Sequence, residues 1–562
     1  MMAFNSAPLR DYMEHGFTYQ AGFARNVRRF GQSTAMIDPV SHRRWTYRQL
    51  ADEVERFAVV LTERGVGRGD RFVYALFNTP QFVICYLAAH RLGAIGTVIN
   101  FRLAPGEIAY ALRDAQAKVF VFDAEIAKNS LDAVGIVRKE TPGAVPHLFQ
   151  VAPAETDPEL PDGVADFDAV VAAATGTAPA LPADFSSFEE VMRLYTSGTT
   201  GMPKGVPIPS IVDVMSAHDV IMHFPLASGD RTLNMTPWFH RGGIHSGGPC
   251  PVFYVGGSVV PLRDFDVERV LDWITQYNIN FLIGAPTTLE GLALAQQKEH
   301  RDLSGLKGIV TMGAPLDAYA AERYMSLLTP NIFNGYGTTE TFWNTFLRPS
   351  DLPRMAGSAG RPCTDDDVIV VKVLPERMAE ADELAAKDNV EVGEVAMRSP
   401  KCSWAYSGEH GAEDPKFHHG WFYPGDLATW DEEGFVSIVG RKDEMIISGG
   451  ENVFPVQVEA VLENHPGVRQ AMVVGAPDVK WGQLVVAYVV AADPDLTADD
   501  LEAHCLASED LARYKRPRAY RFVDSLPMTA TGKKKHVGAA QSAAEDLARG
   551  RFIRPGRNKA AR

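Results

Sequence analysis

Five cysteines are all that this chain of 562 residues contains, and none forms a CxxC pair: Cys85, Cys250, Cys363, Cys402 and Cys505 are scattered and odd in number. That spacing excludes a disulfide framework and a thiolate zinc site, and makes a reducing compartment the default. No apolar run reaches the ~18 residues of a membrane helix. The best candidate, FVICYLAAHRLGAIGTVI, is interrupted by His90 and Arg91. The opening MMAFNSAPLRDYMEH lacks the apolar core of a signal peptide, so a cytoplasmic protein with no membrane span is expected. Basic excess is missing too. With 55 Lys and Arg against 70 Asp and Glu, the net charge of −15 argues against a nucleic-acid partner. A local nest of N–H groups with a few cations can still hold a small anion. The phosphate loop ending in Gly-Lys-Ser/Thr is absent as well.

What stands in its place is YTSGTTGMPKGV, Tyr195 to Val206, where Met202 and Pro203 separate Gly201 from Lys204. It follows the apolar tail of FEEVMRL, which predicts a loop bounded by strands rather than a helix interior. Glycine tolerates positive φ and close backbone approach, so Gly, Ser and Thr in this density can turn N–H and hydroxyl groups around one anion. Lys204 adds a cation, and the phosphate chain of a nucleotide is the natural target.

From Trp45 the chain cycles between helix and short strand. Thr46 is the expected N-cap of a helix that Gly65 ends before FVYALF. QFVICYLAAHRLG with AIGTVIN, then PGEIAYALRDAQ with KVFVFD, repeat the unit. Such alternation implies an α/β fold with parallel sheets covered on both faces. Residues 151–185, rich in Ala, Pro and Asp, read as a loose surface excursion. Beyond the loop, DRTLNMTPWFHRGG sets Trp238, Phe239 and His240 at a strand end, as a pocket wall would, though His240 taken alone reads more simply as a structural histidine. In NGYGTTETFW, Tyr336 sits between glycines where its ring can meet a flat ligand, and Glu340 falls where a helix would begin. An acidic stretch, the insert 372–391, reads as helix-like with a solvated face. Gly440, Arg441, Lys442 and Asp443 form a polar knot between apolar strands, the expected domain boundary. The last ~120 residues carry enough helix and strand for a small α+β domain. The tail from Arg549, with six cations in 14 residues, is expected to fray.

Taken in one order, the phosphate loop, PWFH, NGYGTTE, YPGDL, GRKDEMI and TATGK resemble the acyl-adenylate-forming superfamily, and more narrowly its acyl-CoA synthetases. The resemblance implies a large N-terminal domain, residues 1–442, of two αβ subdomains and a small β-barrel, hinged at Asp443 to a mobile C-terminal domain, residues 443–562. It implies ATP, Mg²⁺ and coenzyme A as co-substrates: a carboxylate attacks the α-phosphate, pyrophosphate leaves, and a thiol takes the acyl group from AMP. Thr196, Ser197, Gly198, Thr199, Thr200 and Lys204 would hold phosphates. Gly313, Ala314 and Pro315, with Asn334, Gly335, Tyr336, Gly337, Thr338 and Thr339, would line the nucleotide, Tyr336 stacking on adenine. Glu340 would bind Mg²⁺, Asp426 and Arg441 the ribose, and Lys533 would act with Glu340 and His240 in catalysis, while Lys534 and Lys535 are expected in solvent. Gly449, Gly450 and Glu451 would face the thiol channel. Trp481, Tyr514, Arg516 and Arg518 resemble the coenzyme A contacts of benzoate-type ligases.

Trp238, Phe239, Phe342 and Trp343 are bulky where the acyl pocket is implied, which favours a compact acid: aromatic, cyclic, branched or short and hydroxylated. Gly337 stands where acetate-using relatives place a closing Trp, so acetate is not expected. Two rival readings are an adenylating enzyme that loads a carrier protein and a catalytically silent nucleotide-binding protein. Oligomeric state stays open, a homodimer included.

Overall fold

The computed structural model describes residues 6–152, 160–196, 203–314, 316–374, 376–408, 411–449, 451–508, 511–528 and 534–556. The chain divides into two compact units, Met1–Asp367 with Met397–Phe422, and Val368–Ala396 with Tyr423–Arg562. Among the described residues no helix is long and apolar enough to cross a membrane.

The first unit holds two sheets. In the seven-stranded one, the order is Val164–Asp166, His147–Val151, Val119–Asp123, Arg71–Ala75, Ile95–Val98, Glu190–Thr196 and Lys204–Pro209. Every neighbouring pair is parallel except the last. Strands such as Val119–Asp123 and Ile95–Val98 are buried along their whole length, as a parallel sheet covered on both faces demands. Tyr47–Glu63 is one of the covering helices. Thr46 accepts from Gln49 N while the Gln49 side chain returns to Thr46 N, a reciprocal cap that satisfies two otherwise orphaned N–H groups. The excursion is more ordered than expected: it contains the strand Val164–Asp166 and the helix Phe167–Ala173, started by Asp166. Phe167 and Val171 supply a buried face that composition alone concealed.

In the nine-stranded sheet, Arg231–Asn234, Phe281–Gly284, Gly308–Met312 and Ile332–Thr338 lie side by side and parallel. Their registers pair Asn234 with Ile283, Gly284 with Thr311, and Met312 with Gly335. Four carboxyl ends therefore open along one edge, where open α/β sheets bind ligands.

In the second unit, Asp367–Lys372 pairs with Gly393–Arg398, and Asp426–Trp430 pairs antiparallel with both Gly393–Arg398 and Val436–Arg441. These antiparallel strands do not close into a barrel among the described residues. A further sheet is built on the hairpin of Val468–Asp478 and Gly482–Ala491, with Ala519–Phe522 parallel to the latter. The helices Pro455–Glu463, Ala498–Ala507 and His536–Ala548 accompany it.

Two expectations for this unit are corrected. The insert is no helix: Lys372 N donates to Glu383 O, Ala385 N donates to Val370 O, and Arg377 grips Glu383 with two bonds of 2.6 Å. Strand pairing and a side-chain clasp thus override a run of good helix formers. Nor does the tail fray as far as Gly556. Ile553 pairs with Tyr520, and Gly556 N reaches Asp499 Oδ1 at 2.6 Å.

Candidate active site

The strands Glu190–Thr196 and Lys204–Pro209 bound the Gly/Ser/Thr loop, with Thr196 opposite Lys204. Ser197, Gly198, Thr199 and Thr200 lie outside the described residues. Lys204 Nζ pairs with Asp414 and lies 4.9 Å from the centre of the Tyr406 ring. The Tyr406 hydroxyl donates to Glu340 Oε1 at 2.6 Å. Burial, reinforced by Glu340, pushes the phenol pKa up, so Tyr406 stays a donor. Gly205 packs so closely that a Cβ there would meet Ser407 Oγ at 2.3 Å, and Ser407 N donates to Gly205 O. Nothing in YSGEHGAEDP, Tyr406 to Pro415, has a periodicity that would mark Tyr406 or Asp414 in the sequence.

Glu340, 6% exposed, sits in a hairpin turn rather than at a helix start. Thr338 pairs with Phe342 and Gly337 with Trp343 across that hairpin. Phe342 adopts φ +64, and a Cβ on Gly337 would lie 1.6 Å from Phe342 O. The turn is therefore built on a glycine with no room for a side chain. Asn334, Gly335 and Tyr336 precede it on the strand Ile332–Thr338, with Asn334 buried and Tyr336 half-buried. Gly313, at φ +86, and Ala314 follow the adjacent strand, while Pro315 lies outside the described residues.

Below the hairpin, Arg241 is 2% exposed. It donates to Thr339 O at 2.6 Å and to Lys401 O at 2.7 Å. Burial brings its pKa down to about 10, which leaves a guanidinium cation at neutral pH. Lys401, also buried, reaches Trp343 O at 2.8 Å, Asp219 at 2.9 Å and Asp366 at 2.8 Å. His240 begins the helix Arg241–His245, its ring 4.2 Å from that of Phe239. At the far end of this helix, His245 Nε2 meets Asp213 Oδ1 at 2.7 Å, while Asp213 Oδ2 takes His90 at 2.9 Å and Tyr86 at 3.0 Å. Burial alone would raise the Asp213 pKa, but the bonds to His245 and His90 hold it well below the usual carboxylate range. Three helices thus converge on one carboxylate. The sequence gives no sign of this, because residues 90, 213 and 245 share no local pattern.

The four expected pocket rings belong to one buried cluster. Trp238 stands edge-on to Phe82, with its backbone N–H on Asn78 Oδ1. Phe239 stands edge-on to Phe101. Phe342 stacks on Trp343 at 4.6 Å and lies 5.5 Å from His245, and the Trp343 indole N–H is held by Asp219.

In the second unit, Asp426 and Arg441 face each other in register, with Nη1 2.8 Å from Oδ1. Burial would lower the Arg441 pKa, yet Asp426 and Asp443 carry it upward, and Asp443 accepts from Nε at 3.2 Å. Gly449 N donates to Trp481 O at 2.8 Å, and the Arg518 guanidinium lies 5.5 Å from the Trp481 ring. Glu451 and Tyr514 line a separate hollow of about 310 Å³ with Met445, Phe454 and Lys515. Arg516 turns instead to Glu502 at 2.6 Å. Gly450 and Lys533 lie outside the described residues. Lys534 is not solvated as expected: it pairs with Glu459 and Glu463.

Comparison with known proteins identifies the family. The family described as AMP-binding enzyme matches residues 23–406, and the AMP-binding enzyme C-terminal domain matches residues 457–533. The chain is 32% identical over 493 residues to a feruloyl-CoA synthase from Amycolatopsis sp, covering 87% of this chain and 92% of that one. It is 30% identical over 502 residues to a long-chain-fatty-acid–CoA ligase from Mycobacterium tuberculosis, covering 89% and 93%. The crystal structure of the anthranilate CoA ligase AuaEII in complex with anthranoyl-AMP superposes with a TM-score of 0.80 at 27% identity, over 95% of this chain and 98% of that one. With two family matches spanning both ends of the site residues and relatives aligned over nearly their whole length, the chain belongs to the AMP-binding enzyme family, in its acyl-CoA synthetase branch.

Proposed function

We propose that this protein is an AMP-forming acid–CoA ligase for a compact carboxylic acid. The observation that carries the reading is the hairpin turn at Glu340: a buried carboxylate fixed by the Tyr406 hydroxyl, supported from below by Arg241 through Thr339 O, with Lys204 against the same Tyr406 ring. A carboxylate attacks a polyanionic phosphate poorly, so the reaction needs positioning and charge neutralisation more than covalent help.

In the first step an oxygen of the acid attacks the α-phosphorus of ATP, the bond to the bridging oxygen breaks, and pyrophosphate leaves. Thr196 to Thr200 and Lys204 hold the phosphates, Tyr336 meets the adenine, and Asp426 with Arg441 takes the ribose. Lys533 donates to the oxygens that gain charge. Glu340 suits Mg²⁺, since a hard cation takes carboxylate oxygen and a single phenol uses only part of the carboxylate's accepting capacity. When bound, that ion neutralises phosphate charge. In the second step the thiol sulfur of coenzyme A attacks the acyl carbon, loses its proton, and AMP departs. A pivot at Asp443 would exchange Lys533 for Gly449, Gly450 and Glu451, and Trp481 with Arg518 offers a ring and a cation to the nucleotide of coenzyme A.

The relatives named above use both aromatic and long-chain acids, so acid size is argued from this chain's own rings. Trp238, Phe239, Phe342 and Trp343 are all buried and packed, and Trp343 is anchored by Asp219. Such a wall favours an aromatic, cyclic or branched acid over an extended chain.

The test is AMP and acyl-CoA formation from ATP, Mg²⁺ and coenzyme A over a panel of acids, with Lys533→Ala beside the wild type. The variant should lose adenylation by about 10²- to 10³-fold. Best turnover with palmitate would end the compact-acid reading. Acyl-AMP that accumulates with coenzyme A untouched would assign the thiol to a carrier protein instead.

A further inference from the structure

The residues that follow Lys533 are directed into the second unit. Lys534 Nζ lies 2.7 Å from Glu459 Oε2 and 2.9 Å from Glu463 Oε1. His536, 8% exposed, places Nε2 2.6 Å from Glu459 Oε1 and Nδ1 3.5 Å from Glu444 Oε1. Both glutamates of the helix Pro455–Glu463 are already fastened to the hairpin sheet, Glu459 by Val473 N and Glu463 by Ala471 N, each at 2.8 Å. Met528 and Lys534 form an antiparallel bridge on either side of residues 529–533, and Lys535 N donates to Pro527 O.

The charged groups facing the imidazole are Glu444, in the turn that follows Asp443, Glu459 from the helix, and Lys534, which shares Glu459. A ring with a carboxylate at each nitrogen satisfies both only as the doubly protonated cation. Burial opposes that charge, but the bonds to Glu444 and Glu459 outweigh it and lift the pKa to about 9. Partly buried pairs of this kind are screened far less than exposed ones, so they can hold a segment in place.

We propose that Lys534 and His536 are positioning residues for adenylation: through Glu459 and Glu444 they fix residues 534–536, which follow Lys533 in the chain, both to the helix and to the turn beside Asp443. A side chain already held in place loses less freedom on reaching the transition state. This inference rests on the assignment of Lys533 to adenylation.

The full-length enzyme is assayed in its two half-reactions, ATP–pyrophosphate exchange with the preferred acid, and thioester formation from a chemically prepared acyl-adenylate. His536→Gln and Lys534→Met should each lower exchange by about 10- to 100-fold, the scale of a charge-assisted bond, and spare thioester formation. His536→Arg should restore exchange and remove the alkaline fall expected of the wild type through about pH 9. Equal losses in both half-reactions, or no rescue by arginine, overturn the proposal, and the arginine variant keeps the test open if the glutamine variant does not fold. If Lys533→Ala leaves exchange intact, the assignment of the lysine itself fails, a result that no variant at 534 or 536 can mimic.

Discussion

Gly337→Ala adds one methyl group where the hairpin has no space. The new Cβ would lie 1.6 Å from the Phe342 carbonyl oxygen, and 2.5 Å from both the Phe342 carbonyl carbon and Trp343 Cα. Real Cβ contacts essentially never fall under 3.0 Å, so the two strands must part by about 1.4 Å. The obstructing atoms are backbone, which cannot rotate away as a side-chain tip can. Glu340 lies three residues on, in the turn these strands close, and so moves with them. A misplacement of about 1 Å is enough to cost about 10²-fold in rate. Pyrophosphate exchange should therefore fall by about two orders of magnitude for small and large acids alike, with a stability loss of about 1–3 kcal/mol for the overpacked hairpin. Exchange would be measured with three acids of increasing size, and unfolding followed by circular dichroism in urea. Wild-type rates, or a change only in the ranking of the acids, would show that position 337 opens toward the pocket and refute the steric argument.

Arg241→Met leaves the Thr339 and Lys401 carbonyls without their cationic donor and should cost about 3 kcal/mol or more, read as a lowered urea midpoint together with a loss of exchange activity. Lys401→Met strands two buried carboxylates, Asp219 and Asp366, and should destabilise by about 3–5 kcal/mol. Adding Asp219→Asn should recover part of that loss if charge is the cause. The pKa of His536 rises on folding from 6.5 to about 9, so its stabilisation is complete below about pH 6.5 and fades as pH climbs through about 9. The difference in urea midpoint between wild type and His536→Gln should shrink over that window, and the His536→Arg midpoint should show no such fade.

Much of the fold is legible in the sequence because its strands are short, apolar and buried on both faces. KVFVFD and AIGTVIN become Val119–Asp123 and Ile95–Val98, each followed or preceded by a helix at the expected place. The cap at Thr46 is equally plain, since a capping box depends on residues three apart. Local propensity misleads where pairing partners are distant. The insert has the composition of a helix, yet Val370 and Val371 recruit its middle into strand-like bonds. At Glu340, TTETFW looks like a helix start, whereas the strand Phe342–Leu347 returns along Ile332–Thr338. His536–Ala548 had no expected counterpart, although its alanines favour a helix. Sites are harder still. Motifs point to Glu340 and Lys204, but Tyr406, Asp414 and Arg241 are joined to them only by folding.

The carboxylate of Asp213 gathers His90, Tyr86 and His245 from two separate helices onto a third. A junction of that kind divides the interior into parts with different freedom to diverge. Under the proposed function, exchanging rings such as Trp238 or Phe342 reshapes the wall offered to the acid at the cost of apolar packing in the buried cluster. The helix beneath them is held more tightly, because each lost partner removes a hydrogen bond from a buried carboxylate. Laboratory evolution of this chain toward new acids should accordingly accumulate changes among the rings and leave residues 90, 213 and 245 untouched.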